Sequence, residues 1–321
     1  MDHPQYPEHP LDVVTLGEAL VLLIANESGP LDTVNSFHKS TAGAETNVAI
    51  GLARLGLSVG WASRVGADSF GRYVLGVMQA EGIDCTHVQV DAGGSTGMML
   101  KARSIAGEDP PIEYYRRGSA ASLLNASQLD KGWLTSARHL HLTGVHAGVS
   151  TNCYAAGEHA IALMRAAGRT VSFDPNLRPA LWPTQTVMAD RLNALAFQSD
   201  WVLPGVAEGQ VLCGTSDPTA IARFYLQRGA VQLVVVKLGA DGAYWATRDA
   251  AGHVDAFPVA QVVDTVGAGD GFAVGVVSAL LEGKTPEQAA RRGAWIGAQA
   301  VQVRGDTEGL PSATALAAAG V

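Results

Sequence analysis

Short apolar runs alternate along the chain with segments in which apolar residues recur every three or four positions. The runs at 13–16, 59–66 and 170–174 have the length and content of buried strands, whereas the segment 48–55 has the spacing of one helix face. The most continuous apolar run, 233–238, is typical of a central parallel strand. This alternation predicts an α/β fold with a mostly parallel sheet.

The stretch 95–118 breaks this alternation. Two strand-like segments, 96–103 and 112–116, flank a turn at 106–111, which predicts a hairpin inserted into the α/β frame. A hairpin is stable only when one of its faces is buried. We therefore expect it to belong to a small sheet that closes over a ligand or pairs with another subunit.

Composition and charge narrow the class of protein. With 321 residues, of which 47% are hydrophobic, the chain can form one large domain, here 12–321, behind a disordered tail at 1–11. The formal charge of −8 argues against a nucleic-acid binder, and no apolar run approaches the roughly 20 residues that span a bilayer. Three cysteines without a CxxC motif fit a reducing compartment, so we expect a cytoplasmic protein.

A glycine-rich loop opens a helix near the C-terminal end, in the stretch 264–272. Free backbone N–H groups and the positive end of a helix dipole make such a loop an anion site, and Gly267 and Gly269 let a phosphate approach the backbone. A carboxylate beside an anion is unexpected in simple binding. One explanation is that Asp270 is a base that accepts the proton of a hydroxyl, which then attacks phosphorus. The alternative is an ordinary turn in which Asp270 only begins the helix.

A second glycine lies just before the helix predicted from the spacing of 48–55, whose start contains Glu45 and Asn47. Gly43 would permit close approach of a ligand, and Asn47 could form a hydrogen bond with a sugar hydroxyl. Helix capping by Glu45 and Asn47 explains the same residues, at about one kcal/mol. The residues alone leave both interpretations open.

The end of the hairpin combines aromatic and basic side chains. Tyr114 and Arg116 share one face of a strand because side chains alternate with period two. Arginine suits bidentate binding of a carboxylate, so this face could hold an acidic ligand. An edge strand protected by charge is the alternative.

Polar residues also follow two predicted buried strands. Asp174 is the last residue of the strand 170–174, and Asn176 and Arg178 follow it. Lys237 lies near the end of the run 233–238. Ligand-binding groups of open parallel sheets gather at these C-terminal strand ends. These side chains could therefore contact phosphates, metal-bound water or substrate, although an Asp–Arg pair with a structural role is the alternative.

Several of these stretches together resemble the ribokinase-like (pfkB) sugar kinases. The segment 264–272 is similar to the late signature of that family, and 42–49 is similar to its early glycine-rich signature. The segments 114–122 and 173–182 resemble the branch that acts on 2-keto-3-deoxygluconate, and the likeness extends over roughly 12–311. Ala42 departs from the first of the family's two usual glycines.

The resemblance implies a three-layer α/β/α fold with a mostly parallel central sheet and a small β-sheet lid, formed around 18–40 and 95–118. It implies ATP-dependent phosphorylation of a sugar acid, giving 2-keto-3-deoxy-6-phosphogluconate. Asp270 would be the base, and the N–H groups of Gly267, Ala268 and Gly269 would stabilise the transferring phosphoryl group.

The resemblance also implies binding roles for other residues. The sugar acid would be held by Gly43, Asn47, Tyr114, Arg116, Arg178 and Asp306. The nucleotide would be held by Asn176, Lys237, Gly239, Gly242, Gly267 and Gly269. Magnesium would be held through water by Glu208, although Gly205 stands where many relatives have an asparagine that helps to organise it. A monovalent cation such as K⁺ is possible near Asp264.

Two other functions remain open from the sequence. A kinase for a neutral sugar or nucleoside, of the fructokinase, ribokinase or adenosine kinase type, would give Arg116 and Arg178 no charge to neutralise. A non-catalytic sugar-binding protein would have little use for Asp270. The lid, with its exposed edge, further suggests a homo-oligomer.

Overall fold

A computed structural model describes residues 11–103 and 111–321. The predicted tail and most of the predicted hairpin turn at 106–111 lie outside the described residues. Leu11, which the prediction includes in the tail, is described and is only 3% exposed.

The strands alternate with helices as the apolar pattern predicts. The strands are β1 Val13–Leu16, β2 Leu20–Ala25, β3 Phe37–Ala42, β4 Val59–Gly66, β5 Val88–Asp91, β6 Met98–Lys101, β7 Ile112–Tyr115, β8 His139–Thr143, β9 Thr170–Asp174, β10 Trp201–Val202, β11 Leu233–Lys237, β12 Ala243–Ala246 and β13 Ala251–Val254. The helices are α1 Ala44–Arg54, α2 Ser69–Ala80, α3 Lys131–Ser136, α4 Gly144–Val149, α5 Thr151–Ala166, α6 Gln185–Ala196, α7 Val206–Cys213, α8 Pro218–Leu226, α9 Ala268–Leu281, α10 Pro286–Ala300 and α11 Ala313–Ala319.

The large sheet has the order β13-β12-β11-β10-β9-β8-β1-β4-β5 within the described residues. In this sheet order, every neighbouring pair between β11 and β5 is parallel. The last two strands, β12 and β13, are antiparallel to their neighbours at one edge. The prediction of β11 as a central parallel strand is therefore only partly right. The short turn at 239–242 returns the chain directly beside β11, and two strands joined so closely must be antiparallel.

Two hydrophobic cores cover the two faces of this sheet. Val14 and Leu16 pack with α5 and α6, whereas Val13 packs with α1, α9 and α10, as the period of two along a strand requires. The predicted α/β/α layering with a mostly parallel sheet is confirmed. Every helix within residues 11–103 and 111–321 is too short or too polar to span a lipid bilayer.

The predicted hairpin is present and forms part of a second, smaller sheet. This sheet, called the lid below, has the order β3-β2-β6-β7 in the described part of the chain. Its outer pairs are antiparallel, and β2 pairs with β6 in parallel. Leu20, Leu22, Ala42 and Met99 form its own small core, which supplies the buried face that the hairpin needs.

Candidate active site

A cleft of about 410 Å³ lies between the lid and the C-terminal ends of the central strands. Its lid side is formed by Leu20, Met99 and Ile112 together with the polar residues of β7. Its other side is formed by the N-terminus of α9 and by the residues that follow β9 and β11. This is the edge at which open parallel sheets bind ligands.

Most of the residues predicted from the sequence line this one cleft. They are Gly43, Asn47, Tyr114, Arg116, Asn176, Arg178, Glu208, Lys237, Gly267, Gly269, Asp270 and Asp306. Ala268, Gly239 and Gly242 are not among the lining residues. Gly242 instead has a structural reason to be glycine, because a Cβ there would lie 2.0 Å from the carbonyl oxygen of Val254.

Asp270 lies in the first turn of α9 and is only 8% exposed. The side-chain amide of Asn47 donates to its Oδ2 at 2.7 Å, and that of Asn176 donates to its Oδ1 at 3.2 Å. Burial raises the pKa of Asp270 to about 8, against the lowering effect of the Asn47 hydrogen bond. A carboxyl held in a fixed orientation with a pKa near neutrality has the properties of a general base.

The contacts of Glu45 and Asn47 argue against the capping interpretation of the α1 start. Gly43 is the N-cap residue and α1 has no side-chain cap, so capping by Glu45 or Asn47 is wrong. Glu45 turns inward and accepts from the Thr143 hydroxyl and the His146 N–H, while Asn47 orients Asp270. Gly43 has a φ of +152°, and a Cβ there would lie 2.5 Å from the Glu18 carbonyl oxygen.

The loop before Asp270 has a left-handed residue at its centre. Gly267 is the N-cap of α9 with a φ of +81°. The carbonyl oxygen of Asp306 lies 2.5 Å from the position that a Gly267 Cβ would take, so Asp306 supports the loop from behind. A Cβ on Gly269 would meet only Lys237 Nζ, at 3.7 Å, which leaves room for an anion between the helix start and that ammonium.

Lys237 belongs to a buried cluster of charges beside the loop. Its Nζ lies 2.8 Å from both carboxylate oxygens of Asp174 and 3.8 Å from Glu208. Burial alone would lower the pKa of Lys237, but Asp174 and Glu208 outweigh it and raise that pKa. The Asp–Arg pair considered for this strand end is wrong, because Asp174 pairs with Lys237 and not with Arg178.

Glu208 is the candidate magnesium residue, and its oxygens already accept hydrogen bonds. The N–H of Leu177 donates to Oε1 at 2.9 Å and that of Gly205 donates to Oε2 at 2.7 Å. Burial raises the pKa of Glu208. A carboxylate has about four lone-pair sites, so contact with a metal-bound water remains possible while direct ligation is not needed.

The two arginines of the cleft differ in what they contact. Arg116 is paired with Glu18, which also accepts from the Ser119 hydroxyl at 2.5 Å. Arg178 is exposed, donates to the Leu177 carbonyl, and has no carboxylate within 4 Å among the described residues. Arg178 is therefore the arginine whose charge is available to a ligand.

The sequence interpretation missed Glu18 and Lys101. Lys101 is 2% exposed, and its Nζ lies 2.5 Å from Asp264 and 3.7 Å from Asp306. Burial raises the pKa of Asp306 to about 6, against the lowering effect of Lys101. The sequence did contain a sign of this ion pair, because Lys101 is a single charged residue directly after the apolar residues Met98-Met99-Leu100. Local sequence cannot, however, identify the carboxylates that such a lysine contacts.

The chain is similar in sequence to known proteins over nearly its whole length. The model of the pfkB family carbohydrate kinases matches residues 10–313. A 2-dehydro-3-deoxygluconokinase of Bacillus subtilis is 46% identical over 308 residues, which cover 96% of this chain and 94% of that protein.

Solved structures with the same fold extend over nearly the whole chain. A PfkB protein from Polaromonas sp. JS666 is 56% identical with a TM-score of 0.89, covering 96% of this chain and 99% of that one. A putative Ribokinase II from Escherichia coli, solved in complex with ATP and Mg²⁺, is 28% identical with a TM-score of 0.87, covering 96% and 98%. The chain belongs to the pfkB family of carbohydrate kinases.

Proposed function

We propose that this protein transfers the γ-phosphoryl group of ATP to a hydroxyl of 2-keto-3-deoxygluconate, giving 2-keto-3-deoxy-6-phosphogluconate. The observation that carries the proposal is the placement of Asp270. Its carboxyl, with a pKa of about 8, lies at an anion-binding helix start in a cleft that also contains Arg178. The similarity to a 2-dehydro-3-deoxygluconokinase supports the same substrate.

The chain's own residues supply the base and the electrostatic stabilisation. Asn47 and Asn176 orient the two oxygens of Asp270, so that it can accept the proton of the attacking hydroxyl. The N–H groups of Gly267 and Gly269, which line the cleft at the start of α9, face the charge that develops on the phosphoryl group. Lys237 adds a positive charge beside them. The N–H of Ala268 already donates to the Thr265 carbonyl at 3.4 Å, so it contributes less than the resemblance implies.

ATP and magnesium fit the nucleotide side of the cleft. The space between Gly269 and Lys237 Nζ can take phosphate oxygens, and Glu208 can accept from water of the Mg²⁺ shell. Bound Mg²⁺ would neutralise charge on the ATP phosphates. Gly239 and Gly242 lie outside the cleft lining, so their contact with the nucleotide stays a prediction from the resemblance.

The sugar acid fits the lid side of the cleft. Arg178 would bind the carboxylate, while Arg116, held by Glu18, and Tyr114 would donate to oxygens of the sugar chain. Asp306 Oδ1 is buried, lies 3.7 Å from Lys101 Nζ and accepts no hydrogen bond within the described residues, so a substrate hydroxyl can donate to it. Gly43 lines the cleft beside Asn47, and its backbone would face the sugar there.

A substrate panel tests the proposal. In a coupled assay of ADP release, we expect turnover with 2-keto-3-deoxygluconate and much slower turnover with fructose, ribose and adenosine. Preference for one of the neutral compounds would establish the alternative kinase. Absence of ADP release with every compound would support a non-catalytic binding protein.

Replacing Arg178 by methionine tests the carboxylate contact. Hydrogen bonds to charged groups contribute about 1.5–3 kcal/mol, so kcat/KM for the sugar acid should fall about 10–100-fold. Arg178 also lowers the pKa of Asp270, an effect common to all substrates. We therefore expect the ratio of kcat/KM for the acid to that for a neutral analogue to fall, as measured by initial rates.

The exposed Arg223 on α8 offers a matched control, because Arg223→Met removes the same charge outside the cleft lining. Arg223→Met should leave kcat/KM unchanged for both the acid and the neutral analogue. Equal losses for the acid and the neutral analogue in Arg178→Met would remove Arg178 from the carboxylate site.

We also propose that the protein forms a homo-oligomer through the lid. The outer strand β7 exposes Tyr115, which is 54% accessible, next to the lid edge. Burial of this aromatic side chain against a second copy would stabilise such an assembly. Light scattering on the protein and on Tyr115→Ser should then give different masses at equal concentration.

A further inference from the structure

Lys101 is a buried charged residue behind the cleft lining, and the proposed reaction leaves it unused. It is the last residue of β6 in the lid, and its side chain leaves the lid to meet Asp264 and Asp306, which belong to the central domain. All three side chains are more than nine-tenths buried. Burying a lysine is unfavourable unless its charge is paired, so this contact is a specific connection between the two parts.

Both carboxylates that Lys101 contacts support the phosphoryl-transfer loop. Asp264 Oδ1 accepts from the N–H of Val266 at 3.1 Å and thus shapes the start of the loop. The backbone of Asp306 packs directly behind Gly267. A displacement of either carboxylate would move the N–H groups that face the phosphoryl group. Misplacement by about 1 Å can reduce a rate by about 10²-fold.

The same contact bears on the monovalent cation expected near Asp264. One oxygen of Asp264 lies 2.5 Å from the Lys101 ammonium, and the other accepts from Val266. A K⁺ ion at this carboxylate would meet an ammonium group in its place, and two cations repel each other there. The residues present therefore do not fit an additional monovalent cation at Asp264.

We propose that the Lys101 ammonium is a built-in cation that positions the phosphoryl-transfer loop, so that turnover does not require K⁺. Lys101 is a positioning residue, since it acts through Asp264 and Asp306 and not on the substrate. Its place on β6, two residues from the cleft-lining Met99, also couples the position of the lid to that of the loop. This inference rests on the proposed kinase function.

Cation dependence of the rate tests the proposal. Initial rates are measured with ATP, Mg²⁺ and 2-keto-3-deoxygluconate in tetramethylammonium buffer, with and without K⁺ or NH₄⁺ at about 0.15 M, the physiological ionic strength. The native protein should show the same kcat within about twofold in all three buffers. Lys101→Met should lose about tenfold or more in kcat without added cation and regain part of it with K⁺ or NH₄⁺.

Three further variants separate positioning from stability. Lys39→Met makes the same change on β3 of the lid, where Lys39 is exposed over Tyr73, and should behave like the native protein. Lys101→Arg keeps the charge and should keep K⁺-independent turnover. Lys101→Met leaves Asp264 and Asp306 buried without their ammonium, and adding Asp264→Asn removes the nearer of these two carboxylates. The double variant should therefore recover part of the thermal stability but not kcat.

The outcomes distinguish this inference from the proposed function. Native turnover that appears only with K⁺ would overturn the built-in cation and leave the kinase function intact. Native-like kcat in Lys101→Met, or full recovery of kcat in the double variant, would reduce Lys101 to a structural role. If the native protein has no turnover in any of the three buffers, the proposed function itself fails.

Discussion

Replacing Asp270 by asparagine is expected to reduce kcat by about 10²–10⁴-fold, the amount that a positioned general base contributes. Asparagine has the same shape and keeps an oxygen that can accept from the Asn47 amide, so the fold and ATP binding should persist. Single-turnover rates, ATP titration and a thermal melt measure these three properties. A near-normal rate would remove Asp270 from the role of base.

The pH dependence of the native protein provides an independent check. Asp270 must be ionised to act as a base, and burial raises its pKa to about 8. The pH dependence of kcat/KM reports the pKa values of the enzyme without bound substrate. We therefore expect kcat/KM to rise about tenfold per pH unit well below this pKa and to level off above about pH 8. The residual activity of Asp270→Asn should lack this limb.

A surface carboxylate is the matched control for this experiment. Asp190 is exposed on α6, and Asp190→Asn removes one negative charge without touching the cleft. It should retain the native rate and the native pH profile. A comparable loss in Asp190→Asn would mean that net charge, and not a base, governs the rate.

Most of the fold could be predicted from the spacing of apolar residues along the chain. The central strands are covered on both faces and therefore appear as continuous apolar runs, as in β11. The start of α10 is encoded in its local sequence, because Thr285 and Gln288 form a capping box there. β10 is limited to Trp201–Val202, because strand length depends on pairing with β9 and β11, which local sequence does not reveal.

The site could be predicted as a set of residues more readily than as a set of contacts. Loops at the C-terminal ends of parallel strands meet at one edge of the sheet, so the sequence predicts Asn176 there, and the family resemblance adds Asn47 and Asp270 to the same site. Their hydrogen bonds to one another depend on side-chain directions set by tertiary packing. The pairing of Asp174 with Lys237, and not with Arg178, is a result of the same kind.

Lys101 shows most clearly where local patterns stop being informative. Its partners Asp264 and Asp306 are more than 150 residues away along the chain, as the separation of 163 for the first pair shows. Strand spacing predicted that Lys101 lies on the hairpin. Only the docking of the lid on the central domain brings its ammonium to those carboxylates.

Replacing Gly267 by alanine is expected to reduce kcat by about 10²–10³-fold, the range measured for loss of a donor to a developing oxyanion. The new Cβ would lie 2.5 Å from the carbonyl oxygen of Asp306, which is backbone and cannot rotate away. The loop must therefore shift, and its N–H groups leave the phosphoryl group. The coupled assay below the melting temperature measures kcat.

Gly283, at the other end of α9, separates this clash from backbone strain. Its φ of +77° matches the +81° of Gly267, but a Cβ there has no atom within 4 Å. Both alanine variants carry the left-handed strain of about 1–2 kcal/mol, and only Gly267→Ala displaces the loop. Gly283→Ala should thus lower the melting temperature and keep the native kcat. Equal kcat values in the two variants would show that the loop tolerates the displacement, and would argue against a precise anion site at Gly267.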